Sequence, residues 1–445
     1  MPWPWDRIPP WATALIGQQL SDLTERIRQP EFVAGVRQRL DRVIAEVPDA
    51  AARKVDQVVR SAKKAAENVQ RWADNRSAPV VNVINATGIV FPFIGVQPPL
   101  AAEVAMAWSA AASAWSEPST EHDGSRAQRA LRTRAEALAN CSARAAATFP
   151  AAIAVATFLG NRPVIVPRCC ANSLGAAGAL PDALRSLGIA VEEVGSASGL
   201  EPTDDLSIPD GAVVLVWIDD ASQMELLHHS AFKHAKRIAV APRIWPRDGN
   251  LSSVANPLTI AGLLASGAHA VVIPGGGLLG GPSCGVVFAP AELLTRIDHQ
   301  PLWRSLRADM ATQAAIVTAM EIWIEGHAAQ RFSSVSAIAS SDDNVRHRAS
   351  LLKTRLEAIE GLEISTAESP ARIWPQGVDE IPSVQLLLRR GNTNVSDWRS
   401  ALAAGVPVVW ATVQDDWLVL DVRTIEPTSE ASLISALGGE DHSLG

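Results

Sequence analysis

Four kinds of residue in this 445-residue chain could do chemistry, and each sits in a readable spacing. A lysine amine can condense with an aldehyde, but lysine is scarce: Lys54, Lys63, Lys64, Lys233, Lys236 and Lys353 are the full set. Arginine, which is abundant, cannot substitute, because its guanidinium stays protonated at neutral pH. Arg304 and Arg307 stand three apart in a segment that reads as helical, a spacing that would put both on one face and let them grip an anion. The competing reading of that pair is a structural salt bridge, for instance to Asp309 or Glu321, and it is slightly preferred because isolated arginine pairs are common. Cys169 and Cys170 are adjacent and follow Arg168, a neighbour that would lower a thiol pKa. Buried free cysteine is more often simple packing, and that reading is preferred for Cys169, Cys170 and Cys284. Zinc ligation with His228, His229 or His234 lacks the required ligand spacing.

The elements that must position these groups come from periodicity. Residues 1–78 read as a helical domain, with Ile16, Leu20, Leu23 and Ile27, then Val33, Val36, Leu40 and Val43, recurring at spacings of three and four. From about 79 to 330 short apolar runs alternate with helical stretches. The runs are Pro163–Val166, Ala190–Val194, Ala212–Trp217, Ile238–Ala241 and Ala268–Ile273; the helices include Ser173–Leu187, Pro257–Ala265 and Met310–Glu325. That alternation predicts an α/β domain around a mostly parallel sheet covered on both faces. Residues 331–445 read as a smaller α+β domain with helix Asn344–Ile359, strands Leu362–Ser365, Val384–Leu388, Val408–Val413 and Trp417–Val422, and helices Val395–Ala403 and Ser429–Leu437.

Composition narrows the class. With 47% apolar residues the chain can build a large core, and two or three domains are expected at this length. A formal charge of −8 argues against bulk nucleic-acid binding. A local basic helix does occur within 50–76, where Arg53, Lys54, Arg60, Lys63, Lys64, Arg71 and Arg76 outnumber Asp56, Glu67 and Asp74. The absence of tyrosine beside 14 tryptophans reads as codon bias toward GC. No signal peptide and no membrane span are read, and the four cysteines do not form a disulfide framework, so a cytoplasmic protein is expected.

The most informative stretch is Ile273-Pro274-Gly275-Gly276-Gly277-Leu278-Leu279-Gly280-Gly281-Pro282, a glycine turn between two apolar strands. With Asn82 to Val90, Pro98-Pro99-Leu100, Gly124-Ser125-Arg126, Leu180-Pro181-Asp182, Pro301 to Asp309 and Leu420 to Ile425 it resembles, in order, the bacterial selenocysteine synthase family, L-seryl-tRNA(Sec) selenium transferase. The resemblance implies a fold-type-I, aspartate-aminotransferase-like transferase scaffold dependent on pyridoxal phosphate (PLP). It also implies a homo-oligomer built from dimers and a tRNA-binding N-terminal domain. Common fold does not by itself imply common chemistry.

Departures from the family pattern fall where the cofactor would sit. The family's lysine is Gly277 here and the aspartate before it is Gly276; the carboxylate that would face the pyridine nitrogen is Pro242. The asparagine-rich phosphate turn becomes Thr148-Phe149-Pro150, and Pro150 removes an N–H from any cradle. A histidine, an asparagine and an arginine after the first strand become Pro92, Ile94 and Gln97. What remains is Arg126, Arg304 and Arg307, which in the resembling family are implicated in the selenium donor's anion site. The expectation is a divergent member without a PLP lysine, so no cofactor is predicted. Its role would be that of a scaffold, a regulator of an active paralogue, or a ligand-binding protein. An active selenium transferase and a tRNA-binding module remain as alternatives.

Overall fold

The computed structural model describes residues 82–93, 97–114, 125–200, 206–248, 257–375, 379–391 and 393–438. The chain divides into two compact units, Met1–Val81 and Asn82–Gly445. The helical domain expected over 1–78, the basic stretch 50–76, Ile94 and Gly124 all lie outside the described residues. No helix among the described residues is long and apolar enough to cross a membrane.

Strand β1 is Val83–Asn85. Seven further strands form the large sheet: β2 (Ser142–Ala146), β3 (Asn161–Pro167), β4 (Val191–Val194), β5 (Ala212–Trp217), β6 (Lys236–Val240), β7 (Ala270–Pro274) and β8 (Gly285–Ala289). Their spatial order is β2-β8-β7-β6-β5-β3-β4. Only β8 runs antiparallel to its neighbours; the other pairs are parallel. The pattern follows from composition. β5 is Ala-Val-Val-Leu-Val-Trp with every residue buried, as a central strand covered on both faces must be. Since β8 is antiparallel to both β2 and β7, the carboxyl ends of β2, β7, β6, β5, β3 and β4 all open on one edge.

The covering helices are α1 (Ala102–Ala112), α2 (Arg126–Ala139), α3 (Phe149–Ala156), α4 (Leu180–Ser186), α5 (Ile260–Ala265), α6 (Ala291–Asp298), α7 (Trp303–Leu306) and α8 (Met310–Ile324). α2 starts at a reciprocal cap, where the Ser125 hydroxyl accepts from Gln128 N and the Gln128 side chain accepts from Ser125 N. The helix expected over Ser173–Leu187 is confined to Leu180–Ser186. Gly175 and Gly178, both at positive φ, turn the chain before it, and Leu174 N donates to Gly178 O.

Beyond α9 (Ala328–Arg331) and α10 (Ser333–Ala339), a second core forms around α11 (Asp342–Leu356), α12 (Val395–Ala404) and α13 (Glu430–Gly438). They cover an antiparallel sheet ordered β14-β15-β12-β9, with β9 at Leu362–Glu368, β12 at Val384–Arg390, β14 at Thr412–Gln414 and β15 at Trp417–Asp421. The run expected as one strand over Val408–Val413 is split. β13 (Val408–Trp410) pairs with β1, and only β14 joins the sheet. Ile84 and Ala86 therefore bury in the smaller core, while Val90 and Phe91 bury in the larger one. The intervening residues Thr87 to Ile89 are a strap between the two cores. It is pinned by Gly88 N on the Thr424 hydroxyl (3.2 Å) and Arg372 N on Gly88 O (2.7 Å), next to the short pair β10 (Ala371–Arg372) and β11 (Glu380–Ile381).

Candidate functional site at the carboxyl edge of the sheet

In open α/β sheets, ligands lodge in the crevice outside the carboxyl ends of the strands. At this edge β7 runs into Gly275-Gly276-Gly277, where a 3-10 turn over Gly277–Leu279 leads back to β8. The turn is backbone on backbone. Gly275 N donates to Cys284 O at 2.8 Å and Gly281 N to Gly275 O at 2.9 Å. A Cβ on Gly275 would lie 2.2 Å from Cys284 Sγ, so no side chain fits there. Gly277 is different. It is buried and held at φ +64°, yet a Cβ built on it meets nothing within 4 Å.

The neighbouring strand β6 is followed by Ala241, Pro242 and Arg243, and β5 by Ile218 and Asp219. Pro242 is buried and offers no polar group. A carboxylate is nonetheless present one strand further on: Asp219, whose Oδ1 lies 3.4 Å from Arg243 Nε. Burial raises the Asp219 carboxyl, opposed chiefly by the Arg243 charge. The Asp219 backbone N–H is taken by the Gln223 side chain at 2.5 Å. The Arg243 guanidinium also lies over Trp374, 5.7 Å from the ring centroid, and Trp374 stacks on Phe91 at 4.5 Å.

From β3 the chain enters a short 3-10 turn, Arg168–Cys170. Arg168 does not face the thiols; its guanidinium donates to Gly195 O beyond β4. The Cys169 thiol is lowered to about 7, chiefly by the hydrogen bond from Cys170 and against the effect of burial. Cys170 is raised by that same bond, by burial, by the charge on Cys169 and by Asp219. Cys141 and Cys284 are both pushed up to about 12 by burial, as packing cysteines would be.

At the end of β2, Thr148 caps α3. Its Oγ1 accepts from Ala151 N at 3.2 Å, and its carbonyl from Ala152 N at 3.0 Å. With Pro150 lacking an N–H, Phe149 has the one amide of the first turn that the cap leaves unengaged. Beside this turn runs the segment carrying Arg307, with Ala147 N on Leu306 O and Ala308 N on Ala145 O.

Of the residues singled out in the sequence, Gly276, Gly277, Pro242 and Pro150 are thus brought to one edge, and Arg307 bridges Ala146 at the end of β2. The helical pairing of Arg304 with Arg307 does not form. α7 ends at Leu306, and Arg307 is extended (φ −65°, ψ 140°) in a bridge to Ala146. Arg304 is exposed on α7, and Arg126 opens a different helix, α2. Of the two carboxylates weighed as salt-bridge partners, Glu321 pairs with Arg134 at 2.7 Å, and Asp309 caps α8 through Thr312 N. Asp219 and Arg243 escaped the sequence reading; their position just past two predicted strands was the available signal.

A second concavity of about 880 Å³ lies beside the strap. Asn85, Gln97, Ser333, Ser341, Asn344 and Trp410 are among its lining residues. Gln97 ties this cleft to the glycine turn by accepting from Ser283 N at 2.8 Å. Its arginines are engaged within the protein: Arg348 on Glu430 and Ile425 O, and Arg423 on Pro382 O, Ala337 O, Ser340 O and Asp342. The cleft is a hydroxyl- and amide-rich surface with no uncommitted guanidinium from that pair.

Residues 251–426, which include the glycine turn and the Arg304–Arg307 segment, match the family model described as L-seryl-tRNA selenium transferase. Over that segment the chain is similar to the family. It is 29% identical over 184 residues to the L-seryl-tRNA(Sec) selenium transferase of Moorella thermoacetica, covering 40% of this chain and 39% of that protein. It is 26% identical over 285 residues to that of Hyphomonas neptunium, covering 60% of each. The chain thus spans between about two fifths and three fifths of the length of these curated relatives. Among solved structures, D-glucosaminate-6-phosphate ammonia-lyase superposes with a TM-score of 0.55 at 18% identity, over 80% of this chain and 95% of that one. The fold is shared with that ammonia-lyase, and the seven-stranded, mostly parallel sheet agrees with the scaffold that the resemblance implied.

PLP requires an amine, a carboxylate for the pyridine nitrogen and a cradle for its phosphate. Among the described residues this edge carries no amine. Lys236 begins β6 at the opposite edge, Lys233 precedes it, and Lys353 is on α11, 3.8 Å from Glu357. Pro242 offers no carboxylate, and the first turn of α3 is capped by its own side chain. The described residues do not fit the group.

Proposed function

We propose that this chain is a divergent selenium transferase family member that does not carry out lysine-dependent PLP catalysis and acts instead as a ligand-binding or regulatory scaffold, assembled as an oligomer of dimers. The observation that carries the reading is Gly277. The family's amine would have to emerge from this turn, and a hydrogen stands there, above space that no other side chain fills. Pro242, the capped α3 and the remote positions of Lys233, Lys236 and Lys353 support the same reading. The 880 Å³ cleft, within the ordinary range for small-molecule sites, supports a retained ligand role. The test is to titrate purified protein with PLP and follow visible absorbance, with seryl-tRNA and a selenium donor added in parallel. No imine band and no selenocysteinyl-tRNA are expected; appearance of either overturns the proposal.

One observation favours a second reading, an active selenium transferase that borrows its amine. The open volume over Gly277 would admit a lysine from a neighbouring subunit, with Arg126, Arg304 and Arg307 holding the donor anion. Activity lost on diluting the protein to monomers and regained on concentration would select this reading.

A further inference from the structure

The vicinal cysteines at the end of β3 have no part in the reading above, and their surroundings are organised for a reaction. Cys169 is half-buried and Cys170 buried. The two thiols are hydrogen-bonded to each other, so one is the acceptor and the other the donor. Cys170 is further backed by the Trp217 backbone N–H and faces the Asp219 carboxylate, itself paired with Arg243. Both cysteines stand at the sheet edge where this fold class places its ligands. No group of three metal-ligating side chains occurs among the described residues, so two sulfurs without a third ligand argue against a metal site.

We propose that Cys169 and Cys170 form a dithiol site for thiol–disulfide exchange with small disulfides, Cys169 being the attacking sulfur and Cys170 the resolving one. In the first step the Cys169 thiolate attacks one sulfur of the incoming disulfide. Its S–S bond breaks, a thiolate leaves and takes a proton from water, and a mixed disulfide remains on Cys169. Forming that bond removes the negative sulfur and the hydrogen-bond acceptor that hold the proton on Cys170. Two of its raising influences vanish together, and burial and Asp219 remain. Cys170 then releases its proton to water, attacks Cys169 Sγ and expels the second small thiol. One disulfide has been reduced to two thiols, and the cysteine pair has been oxidised by the same two electrons.

Geometry sets the direction in which this couple is poised. Adjacent α-carbons across a trans peptide are ~3.8 Å apart, below the roughly 4.4–6.8 Å span of ordinary disulfides, so the closed ring is strained and readily reopened by excess thiol. The site is therefore a reversible acceptor and not a structural staple. The inference does not depend on whether PLP is bound.

Dithiodipyridine applied to the native full chain tests it, with released thiopyridone measured by absorbance and the product by intact mass and peptide mapping. Two equivalents released promptly, a mass lower by two hydrogens, and a Cys169–Cys170 peptide bearing no pyridyl group are expected. Cys170→Ala should release one equivalent and keep the pyridyl adduct on Cys169, and Cys169→Ala should suppress the prompt release. The wild-type stoichiometry decides the matter even if a variant fails to fold. A stable pyridyl adduct on wild-type Cys169, or prompt reaction at Cys141 or Cys284 in preference to Cys169, overturns the proposal.

Discussion

The two edges of the large sheet are built from opposite chemistry. The amino edge carries Lys236, Arg237 and His269, whose ring is lowered by burial and then by those two cations while its Nδ1 accepts from Arg237 N. The carboxyl edge carries glycines, a proline, a thiol pair and the Asp219–Arg243 ion pair. In this fold the carboxyl edge is where a ligand lodges, so the amine of β6 is on the wrong side. Four residue steps of β6 at ~3.3 Å put Lys236 about 13 Å from Val240, beyond the reach of a lysine side chain. Chemistry depends on which end of a strand a residue occupies, not on whether the chain contains it.

The largest expected effect comes from moving an amine between the edges. Gly277→Lys should turn a protein without an imine band into one that forms a borohydride-reducible PLP adduct. The φ of +64° costs such a variant about 1–2 kcal/mol, while the space over the α-carbon accepts the side chain. Failure of the folded variant to form an adduct would mean that more than the lysine has been lost.

Next in size are the neighbouring glycines of the same turn, which should respond unequally. Gly275→Ala drives a methyl into Cys284 Sγ at 2.2 Å and Ile316 Cδ1 at 2.9 Å, and should destabilise by about 2–3 kcal/mol in urea unfolding. Gly277→Ala meets nothing and should cost about 1 kcal/mol, from backbone strain alone. Equal losses would contradict the packing described.

A comparable effect is expected at the strap. Asp421 is fully buried; its Oδ1 accepts from Ser383 Oγ at 2.8 Å and Arg423 N at 3.0 Å, while Oδ2 has no partner. Burial raises its carboxyl from 3.8 to about 6 despite those bonds. Between these values the folded chain holds a proton that the unfolded chain has released. Stability from this group therefore falls as pH rises from about 4 to about 6 and stays reduced above. Asp421→Asn should remove that slope and stabilise at pH 7.5 by up to about 3 kcal/mol, seen as a higher midpoint in urea melts at matched pH. A variant whose pH profile still falls over that range would place the titration elsewhere. Smallest is Lys236→Met at the amino edge, which should change stability by no more than about 0.5 kcal/mol and leave PLP behaviour untouched.

How far the sequence could be read follows from what each element is made of. β5 was legible because six consecutive apolar residues have one explanation in an α/β pattern. β2, Ser-Ala-Arg-Ala-Ala, was not: its Arg144 is buried only because Asp298 from α6 receives it at 2.7 Å. The glycine turn and Pro242 were legible through their residue types, since a hydrogen or a pyrrolidine ring excludes chemistry wherever it is placed. Arg307 was misplaced onto a helix, because the bridge that ends α7 is to Ala146, a residue far away in the chain. The alliance of Asp219 with Arg243 depends on β5 and β6 being neighbours, which periodicity alone cannot specify.

The central claim is that no amine of this chain condenses with PLP. It is tested most directly by incubating the native chain with PLP, reducing with borohydride and mapping all six lysines by mass. The account predicts no stoichiometric pyridoxyl-lysine at any of them. One fully modified lysine, whether Lys54, Lys63, Lys64, Lys233, Lys236 or Lys353, would contradict it.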